Sequence, residues 1–394
     1  MKVVVAMDSF KGSLTAARAC DIVAETIRST VPDAVVVSKP MADGGEGTAT
    51  TLMAAANGQW IEVEVMGPLP EMRVAGGFAW LPETRTAVVE MAVASGLPLL
   101  RPDQYNPLKT TTYGTGQLIQ AAMEHGAEQI LLAIGGSATV DGGVGAAMAL
   151  GWRCLDGGGR DIGLGGGALS EIREILPPTS EARAPKDERR ATSGERRLDR
   201  GLWPAVKVLC DVDNPLCGEH GAARVYGPQK GATQEMAETL DAHLSHLAQL
   251  VKDQLGLSIK DLPGAGAAGG LAAGAVTFLD ARLVSGVDEV IAQNGLREEL
   301  ADADWVITGE GKFDHQSLRG KVVSGVARAA REAGAKVAVI AGQVRLSREV
   351  YTQAGIEIAV PCMTGSMTPD HAIAHAEGLV VEAARRLADE HLVT

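Results

Sequence analysis

The sequence predicts an α/β protein of two domains: a Rossmann-like parallel-sheet domain formed by both chain ends, with a second mixed α/β domain inserted. Three observations carry this expectation. Short β-branched runs alternate with helical patterns at both ends of the chain, the order that gives a parallel sheet covered by helices. The middle instead strings three strand-like runs together with no helical pattern between them. The chain has 394 residues, long enough for two cores of ordinary size.

The first element is a buried strand over 2–6, a short β-branched run bounded by a loop. A helix over 15–30 follows, with Ala16, Ala19, Ile22, Val23 and Ile27 near helical spacing, and Ser13 or Thr15 can cap it. A second strand over 34–39 and a second helix over 48–57 complete a βαβα order. Strands over 60–66, 76–81 and 86–91 come next, and antiparallel pairing is expected there. A helix over 116–125 leads into a strand over 129–134, followed by a strand over 206–212 and a long helix over 233–255. The alternation then returns: strand 305–308, helix 320–333, strand 336–340, helix 348–354, strand 356–361 and a final helix over 369–390. The expected division is 1–75 plus 286–394 for the Rossmann-like domain and 76–285 for the insertion. Residues 177–201 carry prolines and many charges without an apolar period, and read as a flexible surface loop.

Composition narrows the function. With 46% hydrophobic and 22% charged residues the chain is globular. Aromatics are 3%, so the cores must be built from Ala, Val, Leu and Ile. Its 48 glycines exceed the ~7% of average usage and concentrate in loops, where function tends to be placed. A net charge of −13, from 36 basic and 49 acidic residues, argues against a nucleic-acid partner, since a duplex-binding protein normally carries a basic stripe. Acids interleaved with the arginines of 177–201 argue against a nucleic-acid patch there. The five cysteines, an odd number without CxxC spacing, read as reduced thiols of a cytoplasmic enzyme. The N-terminal apolar run is too short for a signal peptide. No apolar stretch approaches the ~20 residues that span a bilayer. The expectation is a soluble, cytoplasmic protein with no membrane or nucleic-acid partner, its self-association left open.

Four glycine-rich acidic loops sit where strands are expected to end: 7–13, 43–48, 135–143 and 308–314. Glycine lets a backbone approach phosphate oxygens closely, and carboxylates hold hard cations such as Mg²⁺. Their repeated pairing suggests phosphoryl transfer. Asp8 leaves the first strand where open α/β sheets place ligands, with Lys11 adding a positive charge. Asp43 and Glu46 repel one another unless a cation or donor set lies near. Gly135-Gly136-Ser137 reads as an oxyanion or phosphate nest, with Asp141 following it. Glu310, Lys312 and Asp314 share one loop, which suits a metal and a γ-phosphate together, and Lys321 stands at a helix start.

Other sites are disfavoured. No GxxxxGK[ST] occurs, and the flanks of Ser137 do not make GxSxG. Residues 264–270 match GxGxxG, but a dinucleotide turn needs a strand before it, and Lys260-Asp261-Leu262-Pro263 is a poor one. The pairs His243/His246 and His371/His375 lack a third ligand, so zinc is not expected.

Taken together, these loops resemble the type-1 glycerate kinase family. DSFKGS stands at 8–13, DGGEGT at 43–48, NPL-x-TT-x-YGTG at 106–116 and GGSAT-x-DGG at 135–143. DVDNPLCG at 211–218, GPQKGAT at 227–233, GAGAAGG at 264–270 and TGEG…D…Q at 308–316 complete the series. The motifs run in order over nearly the whole chain. Three departures stand out: Met7 where proline is usual, Val140 where asparagine precedes the acid, and an arginine-rich insertion over 183–200.

The resemblance implies ATP-dependent, Mg²⁺-dependent phosphorylation of D-glycerate, with two α/β domains and the site in the cleft between them. The product it implies is 2-phosphoglycerate, with 3-phosphoglycerate the older assignment. The residues themselves suit this chemistry, which depends on positioning and charge neutralisation. Asp8 is the first candidate to orient or deprotonate the attacking hydroxyl, with Asp213 the second and Lys11 beside it as a cation. Lys230, Lys312 and Lys321 are candidates to neutralise phosphate or carboxylate. Ser9, Ser13, Gly44, Gly45, Gly136, Ser137 and Asp141 are candidates to cradle it. Asp43, Glu310 and Asp314 are the candidates for Mg²⁺ or its waters. Three alternatives stay open: a kinase of another small hydroxyacid, an NAD-linked hydroxyacid dehydrogenase using 264–270, and a non-catalytic hydroxyacid-binding protein.

Overall fold

The computed structural model describes residues 1–178, 203–365 and 367–393. The chain divides into two compact units. One comprises Met1–Asp43, Thr50–Ala56 and the chain from Ser285 onward; the other comprises Gly44–Ala49 and Asn57–Val284.

The first unit is built on a five-stranded, wholly parallel sheet in the order Ile358–Pro361, Lys336–Ala341, Trp305–Gly309, Lys2–Met7, Val35–Ser38. Val3 to Met7 and Val337 to Ala341 are almost wholly inaccessible, as continuous apolar runs must be when both sheet faces are covered. Val3, Val5 and Met7 face the Ala16–Thr30 and Ala376–His391 helices, which pack on one another. Thr15 is the residue that caps the first helix, its side chain accepting the Arg18 amide at 3.2 Å. The Val322–Ala333 helix packs on the Trp305–Gly309 and Lys336–Ala341 strands.

Two features of this unit differ from the expected elements. The single final helix is two, Pro369–Ala374 and Ala376–His391, because His375 at φ −119° leaves helical geometry. Helices Gly286–Gln293 and Leu296–Leu300 were not expected; Gly295 at φ +69° parts them, and each is too short for a clear period.

The second unit holds a six-stranded sheet in the order Arg282–Val284, Ala205–Leu209, Gln129–Ala133, Thr86–Glu90, Arg73–Leu81, Gln59–Met66. The first four run parallel, and the last two continue as the expected antiparallel meander. Tyr113–Glu124 and Leu271–Leu279 contribute to the core on this sheet. Gln234–Leu255 covers a second cluster built on Val140, Val144 and Leu244. An antiparallel pair, Arg153–Leu155 with Glu174–Leu176, has strands too short to show a period. The expected loop over 177–201 lies, from 179 on, outside the described residues.

The 264–270 stretch serves close packing. It forms a tight turn at Ala267–Gly270, in which Ala268 at φ +53° and Gly269 at φ +67° take the left-handed backbone, and runs into the Leu271–Leu279 helix. A Cβ on Gly269 would lie 1.9 Å from the Thr139 carbonyl oxygen, so a side chain there would push the 135–143 loop aside.

Candidate active site

In the first unit, strand register gathers the acids. Met7 pairs with Gly309, so Asp8 and Glu310 leave adjacent strand ends side by side. The Asp8 amide donates to the Gly309 carbonyl at 2.9 Å. Gly309 tolerates no side chain, because a Cβ there would lie 1.8 Å from the Ile340 carbonyl oxygen. On the other side of the first strand, the Met41 amide donates to the Met7 carbonyl at 2.9 Å, which brings Asp43 to the same edge. This is the carboxyl end of a parallel sheet, where such folds bind ligands. A cavity of about 400 Å³ lies there, lined by Asp8, Ser9, Lys11, Ser13, Asp43, Glu310, Lys312, Asp314 and Lys321.

Electrostatics separates these acids. Burial, then the charge of Asp43 and that of Glu310, pushes the Asp8 carboxyl up to about 7; the Ser9 amide, 2.6 Å away, and Lys11 oppose the shift. Burial likewise raises Glu310, against a Ser317 hydrogen bond and the charge of Lys321. Glu310 Oε1 is buried with no hydrogen-bond partner. Asp314 moves the other way, held below the usual carboxylate range by the Lys312 ammonium 2.7 Å away and by the Gln316 amide. One loop therefore carries an acid pushed toward neutrality and an acid held ionised.

These residues fit a Mg²⁺ ion. The charge of Asp43 raises the pKa of both Asp8 and Glu310, a crowding of carboxylates that calls for a cation, and the orphaned Glu310 oxygen is a ready ligand. Among the described residues, no group of three or more His, Cys, Asp or Glu side chains is arranged to hold a metal by itself. Mg²⁺ does not require one, since it keeps several waters and takes one or two carboxylates together with substrate phosphates.

The second unit brings together another set. Lys230, 1% exposed, donates from Nζ to Ser137 Oγ and to the Thr139 carbonyl, both at 2.7 Å. Burial pushes its ammonium down to about 7, against the charge of Asp141. Asp141, also 1% exposed, accepts from the Thr112 amide at 2.8 Å, the Thr112 hydroxyl at 2.9 Å and the Gly143 amide at 3.1 Å. Burial raises its pKa while these donors oppose the rise. Both charged groups are thus engaged in holding the 135–143 loop. Gly136 and Ser137 keep more exposure than the residues that follow them in the loop, and the Gly44-Gly45 turn packs against Gly135. Asp213 is exposed on the loop after the Ala205–Leu209 strand.

Several residues were not anticipated. Glu90 is buried and accepts the Ala49 amide at 2.8 Å, capping the Thr48–Ala55 helix. Ser317 organises the 312–317 turn by accepting the Asp314 amide at 2.9 Å; its place three residues after Asp314 was the available signal. Met363, Ile373, Ala376 and Leu379 line the cavity; the last three fall within the expected 369–390 helix, Met363 in the loop before it. The histidines have plain roles: His243 Nδ1 lies 3.0 Å from the Gly166 carbonyl and His246 Nε2 2.9 Å from that of Ile172. His371 and His375 stack at 4.1 Å.

Carboxylates and lysines gathered at the carboxyl edge of a parallel sheet are the equipment of an α/β phosphotransferase. The sequence matches the model of the glycerate kinase family over residues 3–392. It is 43% identical over 388 residues to the glycerate kinase of Bacillus subtilis strain 168, covering 98% of this chain and 97% of the relative. It is 42% identical over 389 residues to the glycerate 2-kinase of Escherichia coli K12, with the same coverage. A crystal structure assigned as glycerate kinase 2 from Salmonella typhimurium LT2 superposes with a TM-score of 0.84 at 40% identity, covering 99% of this chain and 98% of that one. The chain belongs to the glycerate kinase family and is a kinase. Among the described residues no helix is long and apolar enough to cross a membrane.

Proposed function

We propose that this enzyme transfers the γ-phosphoryl group of ATP to D-glycerate, giving 2-phosphoglycerate and ADP in a Mg²⁺-dependent reaction. The observation that carries the reading is the strand-edge cluster. Asp8 is held near neutrality beside Glu310 and Asp43, in one cavity with Lys11, Lys312 and Lys321. Asp8 accepts the proton of the attacking hydroxyl, a role that needs a pKa close to the working pH. Lys11, Lys312 and Lys321 neutralise phosphate oxygens, and Ser9 and Ser13 orient them. Glu310 and Asp43 hold Mg²⁺, with Asp314 acting through its waters. Held there, the ion would supply positive charge that offsets the charge of the phosphate oxygens.

In the second unit Gly44, Gly45, Gly136 and Ser137 are assigned to binding an anionic oxygen of a substrate. Asp141 and Lys230 are assigned to fixing that loop from beneath. Asp213 is the reserve candidate for the base. The five cysteines are free, and all but Cys210 are buried, which supports work in the reducing cytoplasm.

The test couples the reaction to enolase without a phosphoglycerate mutase. Signal that requires both D-glycerate and Mg²⁺ establishes the reaction and its product. Glycerate-dependent ADP release without enolase signal assigns 3-phosphoglycerate instead. The absence of any glycerate-dependent ADP release overturns the assignment and points to another small hydroxyacid.

A further inference from the structure

The cavity of the first unit has a wall that this chemistry leaves unexplained. Met363, Ala372, Ile373, Ala376 and Leu379 line the same space as Lys312 and Lys321. They come from the loop after the Ile358–Pro361 strand and from the helices Pro369–Ala374 and Ala376–His391. Ile373 is 47% exposed. A single exposed aliphatic is ordinary, but several facing one concavity with charged groups mark a ligand site.

D-Glycerate bears an oxygen on every carbon, and a phosphate chain has no apolar face. Neither gains from contact with Ile373 or Leu379. Of a kinase's reactants, the purine ring alone offers flat apolar surface to bury. A further group at this wall suits its edge. Gln343 lines the cavity, and its Nε2 is directed at the Met363 sulfur at 3.2 Å. A thioether is a weak acceptor, so this donor gains by turning to a ring nitrogen.

We propose that this wall is the subsite for the base of the nucleoside triphosphate, whose phosphates lie toward Lys312 and Lys321. The proposal rests on the kinase reading above. It places both nucleotide ends within the first unit, so ATP binds there without glycerate.

The experiment measures affinity calorimetrically for two probes, MgATP and inorganic tripolyphosphate with Mg²⁺, in the absence of glycerate. The variants are Ile373→Asn, a neutral change at an exposed position, and Ala376→Phe, which fills the wall. Expected is a loss of ATP affinity of about tenfold in each, the scale of one lost apolar contact area, with tripolyphosphate affinity within about twofold of the parent. Unchanged ATP affinity in both variants overturns the subsite. So does an equal loss for both probes, which reports charge or misfolding. Selective loss of ATP supports the subsite even if the parent shows no glycerate-dependent ADP release; that second result would overturn only the glycerate assignment.

Discussion

The amide of Asp8 donates to the carbonyl of Gly309 at 2.9 Å, across two strands whose sequence positions lie 302 residues apart at Lys2 and Asp304. This one bond extends the Met7–Gly309 pairing by a residue. It sets the first acid of the chain beside Glu310, and their mutual repulsion helps hold Asp8 near neutrality. The electrostatics of this strand edge therefore depends on strand register as much as on the acids themselves.

Asp8→Asn keeps the shape of the side chain and removes the proton acceptor. The expected result is a fall in kcat of about 100-fold or more, the usual contribution of a general base, with nucleotide affinity retained. In the parent, kcat rises with pH through about 7, because the carboxyl, raised to that value, is the active base only when ionised. That limb disappears in the variant. Added Mg²⁺ favours the carboxylate and moves the midpoint down. A variant with parental kcat removes the base assignment.

Glu310→Gln retains volume and loses the charge and the orphaned oxygen anion. The Mg²⁺ concentration for half-maximal ADP release rises by about tenfold, the effect of losing one charged ligand interaction. Thermal stability holds or increases, since a buried carboxyl with a raised pKa is relieved. An unchanged Mg²⁺ requirement excludes Glu310 from the metal site.

Gly309→Ala forces a methyl to within 1.8 Å of the Ile340 carbonyl oxygen unless the strands part. Overpacking of this kind costs about 1–3 kcal/mol, read as a lowered midpoint in urea. Because the shift separates Asp8 from Glu310, kcat falls as well. Parental stability would show that the strand edge yields easily.

Lys230→Met tests the buried amine of the second unit. Its folded pKa, about 7, lies below the ordinary 10.5. Between those values the unfolded chain holds a proton that the folded chain has released, so stability from this group rises with pH across the window. The difference in Tm between parent and variant, followed from pH 7 to 10, therefore changes in the parent's favour as pH increases. A flat difference shows that Lys230 is charged throughout and paired with Asp141.

Much of this was legible in one dimension. The runs at 2–6, 305–308 and 336–340 read as buried strands because they are short, β-branched and unbroken, as a parallel sheet covered on both faces requires. Asp8, Lys11, Asp43 and Glu310 stand out as charges on glycine-rich loops, Lys321 as a charge at a helix start, and all five line one cavity. The ordered motifs from DSFKGS to TGEG identify the family, since local sequence suffices to specify loops whose backbone must bend tightly. Sequence spacing does not encode which strand lies beside which. Only the tertiary structure set Met7 against Gly309, turned Asp141 and Lys230 inward as supports for the 135–143 loop, and joined Ile373 and Leu379 to a charged cavity. The physical reason is that register, burial and desolvation arise between segments distant in the chain, and these decide which acid shifts toward neutrality and which stays ionised.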